Sequence, residues 1–379
     1  MTECLMASYE INGPESNARA IAERICLDQT IEGDASLLAP PLQLQIVGRL
    51  EHLRPTSAGR CEATIRYASD LLSGDCTDLL NVLFGTSSFR GDVTLSSFTL
   101  TQGLLSLWRG PRFGIDGLRC AVDVVHRPLL CAVLKPLGRS AQELAELAAQ
   151  YVEGGVDIIK DDQSLVDQPW CPFEERVVRC AEAIGKASSQ RGRPCLYLAH
   201  ISGSLEVMRR RATQAKALGA TGLMMAPGLT GFDALRALSS DETVVLPIAC
   251  HPTMLGASVD RGRGGLLPRV AYGLLPRLAG ADLSIYPTFG SDYPMSQDDC
   301  CSVADSCRQS WDHIKPMMPA VGGRVGPERI SILGSPLGRD VVLVLGSRIQ
   351  KHPGGVIAAI EECLRMVTTE RSSDCPSTS

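Results

Sequence analysis

Lys160, Asp161 and Asp162 stand in a row behind the apolar residues Val156, Ile158 and Ile159, and Gln163 follows them. The apolar run reads as a short buried strand, and a strand that runs straight into charge ends at a site. Side chains alternate across a strand, so Lys160 and Asp162 share one face; Asp161 and, if the strand continues, Gln163 share the other. An ammonium and a carboxylate on one face either form a salt bridge or serve something placed between them.

Other short apolar runs end in the same manner. Lys135, His200, His251 and Tyr286 each close one, while two more end in Gly322-Gly323 and in Gly346-Ser347-Arg348. A histidine at a strand end is often a capped core residue, but five polar ends facing one mouth would make a site. Glycine-rich loops let backbone N–H groups approach a phosphate, to which Arg348 could add charge; tight turns after strands need glycine as well.

The elements that must position these residues are strands over 129–135, 156–162, 195–200, 222–226, 244–251, 282–286, 317–321 and 341–345. Helical patterns such as 141–151 and 205–218 lie between them. Eight strand-helix units in about 260 residues have the count and length of a (β/α)8 barrel, whose chemistry sits at the carboxyl ends of its strands. A doubly wound sheet would normally bring a Gly-x-Gly-x-x-Gly turn after its first strand, and none is present. Ahead of the barrel, strands over 4–11, 42–53, 60–67 and 93–100 and helices over 15–25 and 77–83 predict an α+β domain on an antiparallel sheet. The expected division is an N-terminal domain over 1–115, a barrel over 116–367 and a disordered tail over 368–379.

The chain has 379 residues, 44% of them hydrophobic and 21% charged, with a net charge of −5. It lacks the basic excess of a nucleic-acid binder, and no apolar run of about 18 residues would span a membrane. Fifteen cysteines are scattered through apolar segments with no Cys-x-x-Cys pair, which predicts reduced core thiols in a cytoplasmic protein and no zinc site.

The strings Leu134-Lys135-Pro136-Leu137-Gly138-Arg139-Ser140, Gly154-Gly155-Val156-Asp157 with Lys160-Asp161-Asp162, His251, Asn81 in Asn-Val-Leu-Phe-Gly, and His352-Pro353-Gly354-Gly355 together resemble the RuBisCO large-subunit superfamily. The likeness runs in order from about residue 20 to 365 and is nearest to the RuBisCO-like proteins. It implies a TIM barrel behind a ferredoxin-like N-terminal domain, and a homodimer or higher homo-oligomer in which Asn81 reaches a neighbouring subunit's mouth. It also implies that Lys160 takes up CO2 as a carbamate and holds Mg2+ with Asp162 and the residue at position 163. Lys135 and His251 would then act on a metal-stabilised enolate, and the substrate phosphate would sit on Gly322, Gly323, Gly346, Ser347 and Arg348.

Departures from the family narrow the function. Gln163 stands where a glutamate ligand is expected, and a neutral oxygen binds a divalent cation more weakly. Pro252 replaces an arginine and Ile285-Tyr286-Pro287 a histidine, two groups that help hold the second phosphate of a bisphosphate. The loop over 288–296 has neither lysine nor arginine where the carboxylases carry a lysine. The resemblance so read implies no CO2 fixation, but an enolate formed from a sugar or sugar acid with one phosphate, in the first instance by decarboxylation of a β-keto sugar-acid phosphate. The alternatives are a tautomerase or isomerase, a transcarboxylase or hydrolase, or a barrel kept for binding or regulation.

Overall fold

The computed structural model describes residues 3–56, 59–260 and 262–369. Its first strands are β1 (Cys4–Asn12), β2 (Arg49–Pro55), β3 (Arg60–Ala68) and β4 (Val93–Leu100). Leu5, Ala7, Tyr9 and Ile11 alternate into the core from β1, where the helix Glu15–Asp28 covers them with Ala18, Ile21, Ala22 and Ile25. The Tyr9 hydroxyl donates to the Leu83 carbonyl at 2.7 Å and lies 2.8 Å from that of Tyr67, tying the sheet to the helix Cys76–Phe84.

The strand expected over 42–53 is a strand only from Arg49. Residues Pro40–Ile46 form a helix with Pro at its start, where the missing N–H costs nothing. Leu42 and Leu44 alternate as strand residues do, yet Leu44 is 68% exposed and the alternation faces no core. The sheet is also not purely antiparallel. A short strand from much later in the chain, Gly265–Leu266, pairs in parallel with β4, giving a five-stranded sheet. Gly265 sits at φ +135, and a Cβ there would come within 2.6 Å of the Ser258 carbonyl oxygen, so glycine is required.

The eight strands expected downstream all form and close into a parallel barrel. They are β5 (Leu129–Leu134), β6 (Ile158–Asp161), β7 (Leu196–His200), β8 (Gly222–Met225), β9 (Ile248–Cys250), β11 (Leu283–Pro287), β12 (Met318–Val325) and β13 (Val342–Leu345), with the short Gly265–Leu266 counted as β10. β9 is shorter than its expected span because Val245, at φ +32, and Pro247 interrupt the extended chain before it.

Every second residue points inward. Leu129, Cys131 and Val133 of β5, Leu196 and Leu198 of β7 and Met318 and Ala320 of β12 belong to one interior cluster. Ile115, Leu118 and Val122 of the helix Gly114–Val122 join that cluster. Asp282 holds this helix against the barrel by accepting from the Gly114 N–H at 2.9 Å and from the Ile248 N–H at 3.0 Å. The described cysteines are free thiols, most of them buried. Among the described residues no helix is long and apolar enough to cross a membrane.

An outward residue of β6, Asp161, carries one of the barrel's buried charges. Asp161 accepts from Arg176 at 3.2 Å, from the Tyr197 hydroxyl at 3.0 Å and from the His200 N–H at 2.9 Å, and both side chains of the ion pair are 0% exposed. Removing one partner of such a pair strands the other charge without water, at a cost of about 3–5 kcal/mol. Arg176→Met is therefore expected to lower stability by about that amount, read as a fall in the thermal unfolding midpoint. An unchanged midpoint would show that Asp161 needs no cation.

Candidate active site

The carboxyl ends of the strands open on a cavity of about 720 Å³. Lys135, Lys160, Asp162, Gln163 and His251 line it, as do Gly322, Gly323, Gly346, Ser347 and Arg348. The inward parity of β5 and β6 explains Lys135, Lys160 and Asp162. Positions 129, 131 and 133 lead to Lys135, and 158 and 160 lead to Asp162.

Lys160 is 2% exposed, and its amine donates to the Asp161 carbonyl at 2.8 Å. Burial pushes its pKa down, because an ammonium loses its hydration there. Cys131 faces it from β5, but burial pushes that thiol up to about 12 and leaves it uncharged. The carboxylates that act on Lys160 are Asp162 and, after it, Asp161; Asp162 also accepts from the Ser164 N–H at 3.0 Å.

Lys135 is half-buried, and its carbonyl accepts from the Gln350 side chain at 2.9 Å; the same amide reaches the Tyr151 hydroxyl at 2.8 Å. His251 has its Nδ1 2.7 Å from the Thr253 hydroxyl and 3.3 Å from the Thr253 N–H. A backbone N–H only donates, so Nδ1 accepts and the neutral ring carries its proton on Nε2.

In β12 Gly323 adopts φ +104, and a Cβ there would lie 3.0 Å from Cβ of Ser291, so both backbone and neighbour oppose a side chain. Gly322 and Gly346 meet no such obstacle. Arg348 is ion-paired with Glu328. Arg324, also on the cavity wall, is paired with Asp292 and was not foreseen; its signal was its place directly after the double glycine, three residues past the expected strand end.

Two expected strand ends do not offer their polar groups to the cavity, and Asn81 lies elsewhere. The Tyr286 ring faces outward, stacked on Tyr272 with centroids 6.5 Å apart, and its hydroxyl donates to the Cys300 carbonyl at 3.2 Å. Ile285, in register with Leu283, faces the barrel interior in its place. His200 is buried between the Leu165 carbonyl at 2.9 Å and the Ser202 hydroxyl at 2.8 Å, a core histidine with both nitrogens engaged. Asn81 lines a separate groove of about 1040 Å³ between the helix Cys76–Phe84 and residues 256–266, not the mouth of its own barrel.

Known proteins bear on this geometry. The sequence profile of the family described as "Ribulose bisphosphate carboxylase large chain, catalytic domain" matches residues 114–370. The chain is 30% identical to a 5-methylthioribulose-1-phosphate isomerase of Rhodospirillum rubrum, over 92% of each chain. It is 29% identical to a 2,3-diketo-5-methylthiopentyl-1-phosphate enolase of Bacillus licheniformis, over 93% of this chain and 88% of the other. In three dimensions it is similar to a Rubisco-like protein from Rhodopseudomonas palustris, with a TM-score of 0.88, 29% identity and coverage of 97% and 98%.

The buried histidines give the site a pH dependence. Burial holds His251 well below its ordinary 6.5, with Lys160 adding to the effect, and burial also pushes His200 down. Below 6.5 the unfolded chain takes up protons that the native imidazoles refuse. Stability is therefore complete above about pH 6.5 and declines as the pH falls through 6 toward the depressed native values. The thermal midpoint is expected to drop between about pH 7.5 and 5, and His251→Gln to flatten the decline. A wild-type midpoint constant over that range would contradict the assignment.

Proposed function

The chain belongs to the RuBisCO large-chain family, and from that premise we propose that its barrel mouth catalyses proton transfer beside a carbonyl of a sugar-derived compound carrying one phosphate. The observation that carries this reading is the set of groups that share the cavity. Two lysines, a carboxylate and a neutral histidine line it together with glycine backbone and arginine from the ends of β12 and β13. A substrate held by its phosphate at those glycines would present its carbon chain to the lysines and the histidine.

A divalent cation fits the donor set on one condition. Among the described residues no three His, Cys, Asp or Glu side chains come together in a metal-holding group. Asp162 and the amide oxygen of Gln163 make an oxygen site too weakly charged for a hard cation, unless Lys160 contributes an anionic oxygen as a carbamate. The depressed pKa of Lys160 supports that modification, since the free amine is the form that attacks CO2. Mg2+ held by Lys160, Asp162 and Gln163 would act as a Lewis acid toward the substrate's carbonyl and neighbouring hydroxyl oxygens.

The protein's own groups then divide the work. Lys135, at the end of the adjacent strand, takes a proton from the carbon next to the carbonyl and returns it to another position. His251 offers its Nε2–H to a substrate oxygen, and because burial keeps the ring neutral it donates without adding a charge. Gly322, Gly323 and Ser347 offer backbone N–H groups to the phosphate and Arg348 adds a charge-assisted bond, while the Gly346 N–H is taken by the Val325 carbonyl at 3.2 Å.

Proton transfer is favoured over the decarboxylation expected at first, although both pass through the same enolate. The relatives named above are an enolase and an isomerase of phosphorylated compounds. In addition Pro252, Met254 and Ile285 on the cavity wall offer no cation to a substrate carboxylate. The same lack, with a loop over 288–296 free of lysine and arginine, argues against CO2 fixation and against a second phosphate. The proposal keeps the homodimer, in which Asn81 serves a partner's mouth, and the cytoplasmic location.

Two outcomes are expected. In D2O the enzyme should exchange deuterium into the phosphorylated substrates of the two named relatives or close analogues, followed by NMR, and Lys135→Met should slow exchange by about 10² to 10⁴. Full activity of Lys135→Met would remove it from the chemistry; rapid incorporation of labelled CO2 into ribulose bisphosphate would overturn the reading altogether. Calorimetry should also find Mg2+ binding that strengthens with bicarbonate, and Lys160→Met should lose that dependence. Binding indifferent to both would favour a barrel kept for binding alone.

A further inference from the structure

The ladder between β12 and β13 skips two residues. Gly322 pairs with Val344 and Val325 with Leu345, so Gly323 and Arg324 bulge out of the sheet. Arg324 sits there at φ +53, a conformation that non-glycine residues other than Asn and Asp seldom adopt. A bulge beside a site re-aims a side chain, and backbone strain at such a position points to a role for the group it displays.

The displayed guanidinium meets a carboxylate. Arg324 Nε donates to Asp292 at 2.7 Å, and Asp292 lies on the loop that follows β11. The base of this loop is fixed, because Arg329 donates to the Phe289 and Gly290 carbonyls. Its tip rests on the glycine wall, with Ser291 against Gly323. Asp292 therefore places a negative charge at the end of the cavity where the substrate's phosphate is read to bind. The pair is weakly held, since both side chains are more than half exposed, at 52% and 60%, and screened by water. A phosphate dianion with three acceptor oxygens is the stronger partner for a guanidinium.

We propose that Arg324 is an anion-binding residue that sets specificity for a phosphate, and that Asp292 is its built-in competitor. The incoming phosphate takes Arg324 over from Asp292, and the tip of the loop is released. This rests on the phosphate reading above and adds to it a cost of entry. A ligand with no dianion would not displace Asp292, so the loop tip would stay on the glycine wall.

Inorganic phosphate, titrated calorimetrically into the full chain, is the probe. Asp292→Asn removes the competitor and is expected to tighten binding about tenfold, and Arg324→Asn, which tolerates the left-handed backbone, to weaken it about tenfold. In the Arg324→Asn background Asp292→Asn should have no further effect, and Arg324→Lys should restore part of the affinity. Phosphate should also speed hydrogen exchange at the amides of 290–293 in the wild type. If phosphate binds and the Asp292 and Arg324 variants match the wild type, the exchange is overturned while the phosphate reading stands. Tightening by Asp292→Asn that persists without Arg324 would likewise overturn it, as simple repulsion. Phosphate binding to neither the wild type nor Asp292→Asn would sink both.

Discussion

A strand that closes into a barrel has no freedom about where its side chains go. Each second residue enters the interior, and the last inward residue of each strand arrives at the mouth. In β6 this sends Ile158 and Lys160 inward, with Asp162 at the rim, and leaves Asp157 and Asp161 outside. The outer aspartates are buried all the same, so each needs a cation: Arg127 and Arg193 for Asp157, Arg176 for Asp161. The lysine and aspartate of the cavity wall are free for a ligand because their alternates are held from behind.

The same packing governs protonation. An interior filled with Val133, Met318 and Val344 solvates an ammonium or an imidazolium poorly, and Lys160 and His251 are both shifted toward their neutral forms. Neutral groups suit proton traffic and the capture of CO2; a fixed cation would suit neither. The cavity's arginines, Arg324 and Arg348, are each matched by a carboxylate. Positive charge there becomes available only by exchange.

Periodicity made the barrel legible. Eight apolar runs, seven of them ending in polar or glycine residues, specify strands and the faces they bury, and Lys135, Lys160, Asp162 and His251 on the cavity wall follow from them. What stayed hidden depended on neighbours that no local pattern reports. Leu42 and Leu44 mimic a strand because alternation does not say which side has a core. Tyr286 was placed at the mouth by its position in the string, yet counting inward residues from Leu283 would have sent its ring outside. His200 and His251 end their strands alike, and only the carbonyl of Leu165 beside one and the open cavity beside the other separates them. Arg324 depends on a bulge, whose two extra residues look like ordinary sequence until the ladder is drawn.

The pairing of Gly265 with Thr94 also bears on how the molecule is made. The first four strands leave the ribosome long before their last neighbour does, since the chain must first extend through β9. At ordinary rates of synthesis that delay is on the order of ten seconds, during which the hydrogen-bonding edge of β4 is uncovered. Nascent chains in that interval present an adhesive strand to one another. Slow translation through the segment between β4 and β10, or scarce chaperone, would thus cost yield before any active site existed to be harmed.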